Sequence, residues 1–249
     1  WHLGDMPGSK PNDFGFDEYF GALYSNDMQP FAIYENEEVA VPEPVDQSRL
    51  NDLYTDAVLR TINTASDKPF FIYFAHNMPH EPIHASNAFR GKSGSGLYGD
   101  VVEELDDGIR RITEALQKRG LLSNTLILIT SDNGPWFQGS PGGRDRKGST
   151  FEGGMRVPMI AHWPDRINAA TVSEPVVGVD MLPTILDYLG IPAPEDRLLD
   201  GVSWKGTFAG SANARSRPIY YFGGDKLMAL RSGDLKYQVR KYGSHQVDP

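Results

Sequence analysis

The stretch Thr125-Leu-Ile-Leu-Ile-Thr130, followed at once by Ser131-Asp-Asn-Gly-Pro135, decides how the rest of the chain is read. Its apolar run has the length and aliphatic, β-branched content of a strand, and its near-continuous apolarity suits burial on both faces. The Asp, Asn and turn-forming Gly-Pro stand where that strand runs out. A polar turn accounts for them. So does a metal site, because ligands of open α/β sheets bind beyond the strand ends.

Working outward, the same alternation recurs. Residues 48–65 have helical spacing at Leu50, Tyr54, Ala57, Val58, Thr61 and Ile62, with Ser48 as the expected N-cap and Asp67-Lys-Pro69 as the stop. Phe70-Phe-Ile-Tyr-Phe-Ala75 reads as a strand buried on both faces and opens directly into His-Asn-Met-Pro-His-Glu-Pro. Asp100 is placed to cap a second helix whose stripe is Val101, Leu105, Ile109, Ile112 and Leu116, closed by Gly120. A strand over 157–163 and a helix over 181–188, ended by Gly190 and Pro192, continue the pattern. Helices alternating with short apolar strands predict an α/β fold with a mostly parallel sheet flanked by helices. Beyond residue 194 the character changes. Short strand candidates at 218–222, 227–231 and 235–240, joined by Gly-Gly-Asp and Ser-Gly-Asp, predict a small antiparallel sheet. The division expected is therefore 1–194 for the α/β part and 195–249 for the start of a small C-terminal subdomain.

Composition narrows the classes. A net charge of -9 over 249 residues argues against a nucleic-acid partner, which calls for a basic stripe. No apolar run approaches the roughly 20 residues of a membrane span. There is no cysteine, hence no disulfide, thiolate metal site or cysteine nucleophile within these residues. The Gly-rich run 91–99 is expected to be a flexible loop; no strand precedes it, which sets it apart from a phosphate loop.

If the strands are parallel, three loops converge on one sheet edge. They carry His80, then Asp132 with Asn133, then Arg144, Arg146 and Lys147. A carboxylate and an amide carbonyl are hard oxygen donors that suit Ca²⁺ or Mg²⁺. A divalent ion with a lysine and histidines suits an anionic ester, the cations neutralising its oxygens and a histidine protonating the leaving group. Each residue alone has a bland reading as turn, surface lysine or solvated histidine, and His76, His84, His162 and His245 are left there.

In chain order, Trp1-His-Leu-Gly4 with Gly15-Phe-Asp-Glu-Tyr-Phe-Gly21, Pro79-His-Glu-Pro82, Ser131-Asp-Asn-Gly-Pro135 and the run from Lys147-Gly through Glu152-Gly-Gly-Met-Arg to Pro158 resemble the type I sulfatases. Ser93 to Asp100, Glu104-Leu-Asp106 and Gly224 to Asp234 look most like the arylsulfatase A and N-acetylgalactosamine-6-sulfatase branch. The resemblance implies the alkaline-phosphatase-like sulfatase fold, with its N-terminal part lying upstream of Trp1, and sulfuric-ester hydrolysis of aryl or carbohydrate sulfates. It implies that Asp132 and Asn133 are half of a calcium site and that Lys147 binds sulfate oxygens. By the same resemblance, His80 stands near the bridging ester oxygen and His2 contacts the nucleophile.

The family's nucleophile is a formylglycine made from Cys or Ser in a Cys/Ser-x-Pro/Ala-x-Arg motif, which these residues do not contain; Ser216-Arg-Pro has the wrong order. It is expected in an upstream segment, together with two further calcium-site aspartates. Were the polypeptide to begin near Trp1, exposed sheet edges predict a homo-oligomer. Two other readings accompany this one: a phosphatase or phosphonate-ester hydrolase of the same superfamily, and a catalytically silent module that binds anions or a partner. The family's habit points to periplasm, lysosome or the extracellular space.

Overall fold

A computed structural model describes residues 1–66, 68–136, 142–210 and 217–240. Asp67, Ser216 and His245, all named above, lie outside the described residues. The chain divides into two compact units, residues 1–122 and residues 123 onward.

In the first unit, helix α1 (Leu50–Thr64) packs against helix α2 (Gly96–Lys118). The buried face of α1 carries Leu50, Tyr54, Val58 and Ile62 at helical spacing. Its entry is capped differently from expectation. Asp46, not Ser48, is the acceptor, taking the backbone N–H of Ser48 at 3.1 Å and its hydroxyl at 2.7 Å, so a 3-10 turn over Gln47–Arg49 precedes the helix. At the far end Arg119 donates to the carbonyls of Ile62 (3.0 Å) and Ala65 (2.8 Å), satisfying acceptors that a helix C-terminus leaves open.

Asp100 is also reassigned. Helix α2 starts at Gly96, so the run 91–99 is half helix rather than all loop. Asp100, inside the first turns, directs its carboxylate back onto the backbone N–H groups of Gly91 (2.7 Å), Lys92 (3.1 Å) and Ser93 (2.9 Å). Those bonds, first from Ser93 and then from Gly91, push its pKa down to about 2.

The segment between residues 20 and 41, which carries no clear sequence signal, forms an antiparallel sheet of β1 (Phe20–Gly21), β2 (Ile33–Glu35) and β3 (Glu38–Val41). Ala22, Phe31, Ile33, Leu50, Tyr54, Met78, Ile83, Ala85 and Val101 make the core of this unit.

Residues 70–75 do not form the strand expected of them. They run without a ladder partner among the described residues, and exposure alternates along them, with Phe71 and Tyr73 each 65% exposed. An apolar pattern marks a stretch able to sit in a sheet, but a strand also needs a neighbour alongside to take its N–H and C=O groups.

In the second unit, β4 (Ile127–Thr130) and β5 (Met159–His162) fall where expected and pair antiparallel, Ile127 opposite His162 and Thr130 opposite Met159. No parallel pair occurs among the described residues. The connection from β4 to β5 explains the direction. Among its described residues it contains only the single-turn helix α3 (Glu152–Met155), whereas a parallel crossover usually runs through a full-length helix. The alternation of elements fixed what is present, not which strand lies next to which.

Helix α4 (Met181–Leu189) ends at Gly190 in the left-handed region. Buried Asp180, just before it, accepts from the N–H groups of Val177 (3.2 Å) and Val202 (2.9 Å) and from the Trp204 indole (3.0 Å), and pairs with Arg217. Beyond the short helix α5 (Lys205–Phe208), the expected antiparallel C-terminal sheet is present as a meander of β6 (Ile219–Gly223), β7 (Lys226–Ser232) and β8 (Leu235–Gln238). Among the described residues no helix is long and apolar enough to cross a membrane.

Candidate functional site

The first unit holds His2 and His80, and both run back to residues 23–26. His2 has a positive φ of 66°, and its backbone N–H donates to the Leu23 carbonyl at 2.7 Å. Its ring meets Tyr24 edge-on at 6.1 Å, and the Tyr24 hydroxyl donates to Asp5 at 3.0 Å. The Trp1 indole donates to the Ser9 carbonyl at 2.6 Å, so the Trp-His-Leu-Gly block is folded onto its own following turn.

His80 sits in a turn closed by its N–H on the Asn77 carbonyl at 3.0 Å and flanked by cis Met78–Pro79 and Glu81–Pro82 bonds. Its Nδ1 lies 2.6 Å from the Glu81 carbonyl oxygen, and since a carbonyl can only accept, Nδ1 carries a proton. Nε2 is then the nitrogen that takes or gives a proton in any chemistry. Ser25 Oγ approaches Nδ1 at 3.5 Å. The buried Asn26 side chain fixes the turn from behind: its Nδ2 donates to Pro82 (3.0 Å) and His80 (3.4 Å) carbonyls and to Gln47 Oε1 (3.0 Å), and Gln47 returns a bond to the Asn26 carbonyl at 2.9 Å. Asn26 was missed in the sequence because Ser25-Asn-Asp carries no signal beyond a polar turn.

His76 is a core histidine. Its Nδ1 accepts from the Met78 N–H at 2.9 Å, its ring lies edge-on to Tyr54 and Phe74, and loss of hydration pushes its pKa down to about 4.

The second unit holds Asp132, Asn133 and Lys147, and the backbone laces them together. The N–H of Lys147 donates to the Pro135 carbonyl at 3.0 Å, and that of Gly134 to the Gly154 carbonyl at 2.8 Å. The turn after β4 is therefore bonded once to the basic loop and once to α3 itself. Their glycines are obligatory at this approach. A Cβ on Gly134 would lie 1.9 Å from the Gly153 carbonyl oxygen, and one on Gly153 would lie 1.9 Å from that of Asp145. This is the physical content of the Asp-Asn-Gly and Glu-Gly-Gly motifs. Within the turn, Ser131 Oγ donates to the Asn133 carbonyl at 3.1 Å and approaches Asp132 Oδ1 at 3.5 Å, and Asp132 is exposed. Arg144 stacks on Phe151 with its guanidinium 4.1 Å from the ring centre.

The donor chemistry of Asp132 and Asn133 fits a hard divalent cation as a partial set. Among the described residues no group of three or more His, Cys, Asp or Glu could by itself hold a metal. In chemical terms the second unit offers a lysine whose backbone is tied to the turn that carries the Asp132 and Asn133 oxygen donors, and the first offers the His2 ring edge-on to Tyr24 and the His80 imidazole held through Nδ1.

Comparison with known proteins gives a consistent answer. The family model described as Sulfatase matches residues 1–191, and one described as N-sulphoglucosamine sulphohydrolase, C-terminal, matches residues 144–239. Mouse N-acetylgalactosamine-6-sulfatase is 37% identical over 261 residues, covering 95% of this chain and 50% of the relative. Bovine arylsulfatase A is 31% identical over 286 residues, covering 100% of this chain and 56% of the relative. Among solved structures, that of Ps i-CgsB in complex with k-i-k-neocarrahexaose is 30% identical with a TM-score of 0.75, covering 94% of this chain and 61% of that one. The chain spans about half the length of the curated relatives it matches.

Proposed function

Since this chain belongs to the sulfatase family, we propose that it supplies the anion-binding and leaving-group side of a sulfuric-ester hydrolase acting on aryl or carbohydrate sulfates. The observation that carries this reading is the pair of backbone bonds, Lys147 to Pro135 and Gly134 to Gly154, which set a lysine beside the Asp132-Asn133 turn. Sulfated glycans are the favoured substrates; N-acetylgalactosamine-6-sulfatase among the relatives and the carbohydrate complex among the solved structures support that choice.

In this reading the Lys147 ammonium binds nonbridging sulfate oxygens and offsets their charge. His80, oriented through Nδ1, gives a proton from Nε2 to the bridging oxygen as the alcohol departs. His2 stands at the nucleophile. Asp132 and Asn133 would hold Ca²⁺, or Mg²⁺, which when bound supplies Lewis-acid polarisation of the sulfate. The nucleophile is a formylglycine contributed by an upstream segment. We keep 1–194 as the catalytic part and 195–249 as the start of the C-terminal subdomain within this proposal.

The test is Lys147→Ala in the full polypeptide, assayed with an aryl sulfate and an aryl phosphate with and without a divalent-cation chelator. Sulfate turnover is expected to exceed phosphate turnover, to fall on chelation, and to drop at least about 10²-fold in the variant. Near-normal rates in Lys147→Ala would remove that residue from the site.

A further inference from the structure

Glu152 opens α3 immediately beyond the Lys147 turn, and its carboxylate is held from the C-terminal sheet. Oε1 accepts from Lys236 Nζ at 2.8 Å, and Oε2 lies 3.6 Å from Arg231. The Lys236 side chain is only 15% exposed, and its ammonium also sits 3.7 Å from the centre of the Tyr221 ring. Two residues along β8, on the same face, Gln238 meets the hydroxyl and carbonyl of Thr150 at 3.5 Å each. Strand β8 thus presents two side chains in register to two positions of the loop.

The other side of the same segment belongs to the anion-binding turns. The Gly153 N–H donates to the Arg144 carbonyl at 2.8 Å, and the Gly154 carbonyl accepts from Gly134. A charge-assisted bond with one partner this little exposed holds its geometry better than a surface ion pair. Lys236 and Arg231 take no part in the chemistry proposed above, yet they fix the residue that ends the lysine loop.

We propose that Glu152 is a positioning residue for Lys147, and that through the Lys236–Glu152 pair the C-terminal sheet sets the place of the anion-binding lysine. The proposal rests on the reading of Lys147 as the sulfate-binding residue. It makes the C-terminal sheet a working part of the anion site.

The test uses the full polypeptide carrying Lys236→Met, Lys236→Arg or Glu152→Gln, each in the parent and in the Lys147→Ala background. Affinity for inorganic sulfate is measured by calorimetry, and kcat/KM with an aryl sulfate. Lys236→Met and Glu152→Gln are expected to weaken sulfate binding and lower kcat/KM roughly tenfold in the parent, the size of coupling within one network. Lys236→Arg should recover most of the loss. In the Lys147→Ala background the effect on sulfate binding should shrink below about twofold. Equal losses in both backgrounds, or a folded Lys236→Met with full sulfate affinity, overturns the proposal. If Lys147→Ala alone binds sulfate like the parent, the reading of Lys147 fails and the positioning role falls with it. Should Lys236→Met not fold, Glu152→Gln, which keeps the side-chain shape, carries the same comparison.

Discussion

The backbone N–H of Lys147 donates to the carbonyl oxygen of Pro135 at 3.0 Å, joining the basic loop to the turn that carries Asp132 and Asn133. A second bond, from Gly134 to Gly154 in α3, leaves no room for a side chain at Gly134.

Gly134→Ala and Gly153→Ala should each destabilise the protein by about 3 kcal/mol, because the new methyl would run into the Gly153 carbonyl oxygen in the first and the Asp145 carbonyl oxygen in the second. Gly206→Ala, in α5 with open space around the added carbon, should stay within about 0.5 kcal/mol. Urea unfolding of the three variants checks the contrast; an unperturbed Gly134→Ala would mean that the turns are not laced in solution.

His80→Asn should lower kcat by about 10²–10⁴-fold on sugar sulfates, whose alcohols leave poorly, and much less on aryl sulfates with acidic phenols. The readout is the dependence of kcat on leaving-group pKa, which should steepen in the variant. A parallel drop for all leaving groups would assign His80 to binding rather than to proton donation.

Folding stability should decline as pH falls from about 6.5 towards 4, the window between the ordinary histidine pKa and the depressed value of His76. The sign follows from proton uptake: the unfolded chain protonates this imidazole first, while the folded core keeps it neutral. The full effect is about 3 kcal/mol. His76→Gln should flatten that part of the curve, as followed by urea midpoints at successive pH values. An unchanged slope would show that His76 is not the titrating group.

Asp180→Ala should cost about 3–5 kcal/mol, since it leaves the Arg217 guanidinium and the Val177, Val202 and Trp204 N–H groups facing a buried gap. Differential scanning calorimetry reads the loss. A change below about 1 kcal/mol would show that water replaces the carboxylate without difficulty.

Much of the fold is legible in the chain because helical stripes, glycine stops and short aliphatic runs are local signals. Helices α1, α2 and α4, strands β4 and β5, and the C-terminal meander all fall close to their expected places. The candidate site residues are legible as motifs, and the close approaches at Gly134 and Gly153 give two of those motifs a steric reason. Asn26 and Lys236 carry no local signal, because each bonds a partner far along the chain: Asn26 the His80 turn, Lys236 the Glu152 carboxylate.

The sequence by itself determined the family, the identities of the chemical groups and the kinds of element where a local stripe, cap or glycine stop marks them. Tertiary structure alone decided that β5 returns antiparallel beside β4, that Asp100 serves the loop behind it, and that residues 70–75 find no ladder partner among the described residues. The reason is physical. Periodicity and capping depend on a few neighbouring residues, whereas strand direction, an ion pair across two elements and the close approach of two backbones depend on where distant segments meet, and that is settled by packing and hydrogen-bond satisfaction over the whole unit.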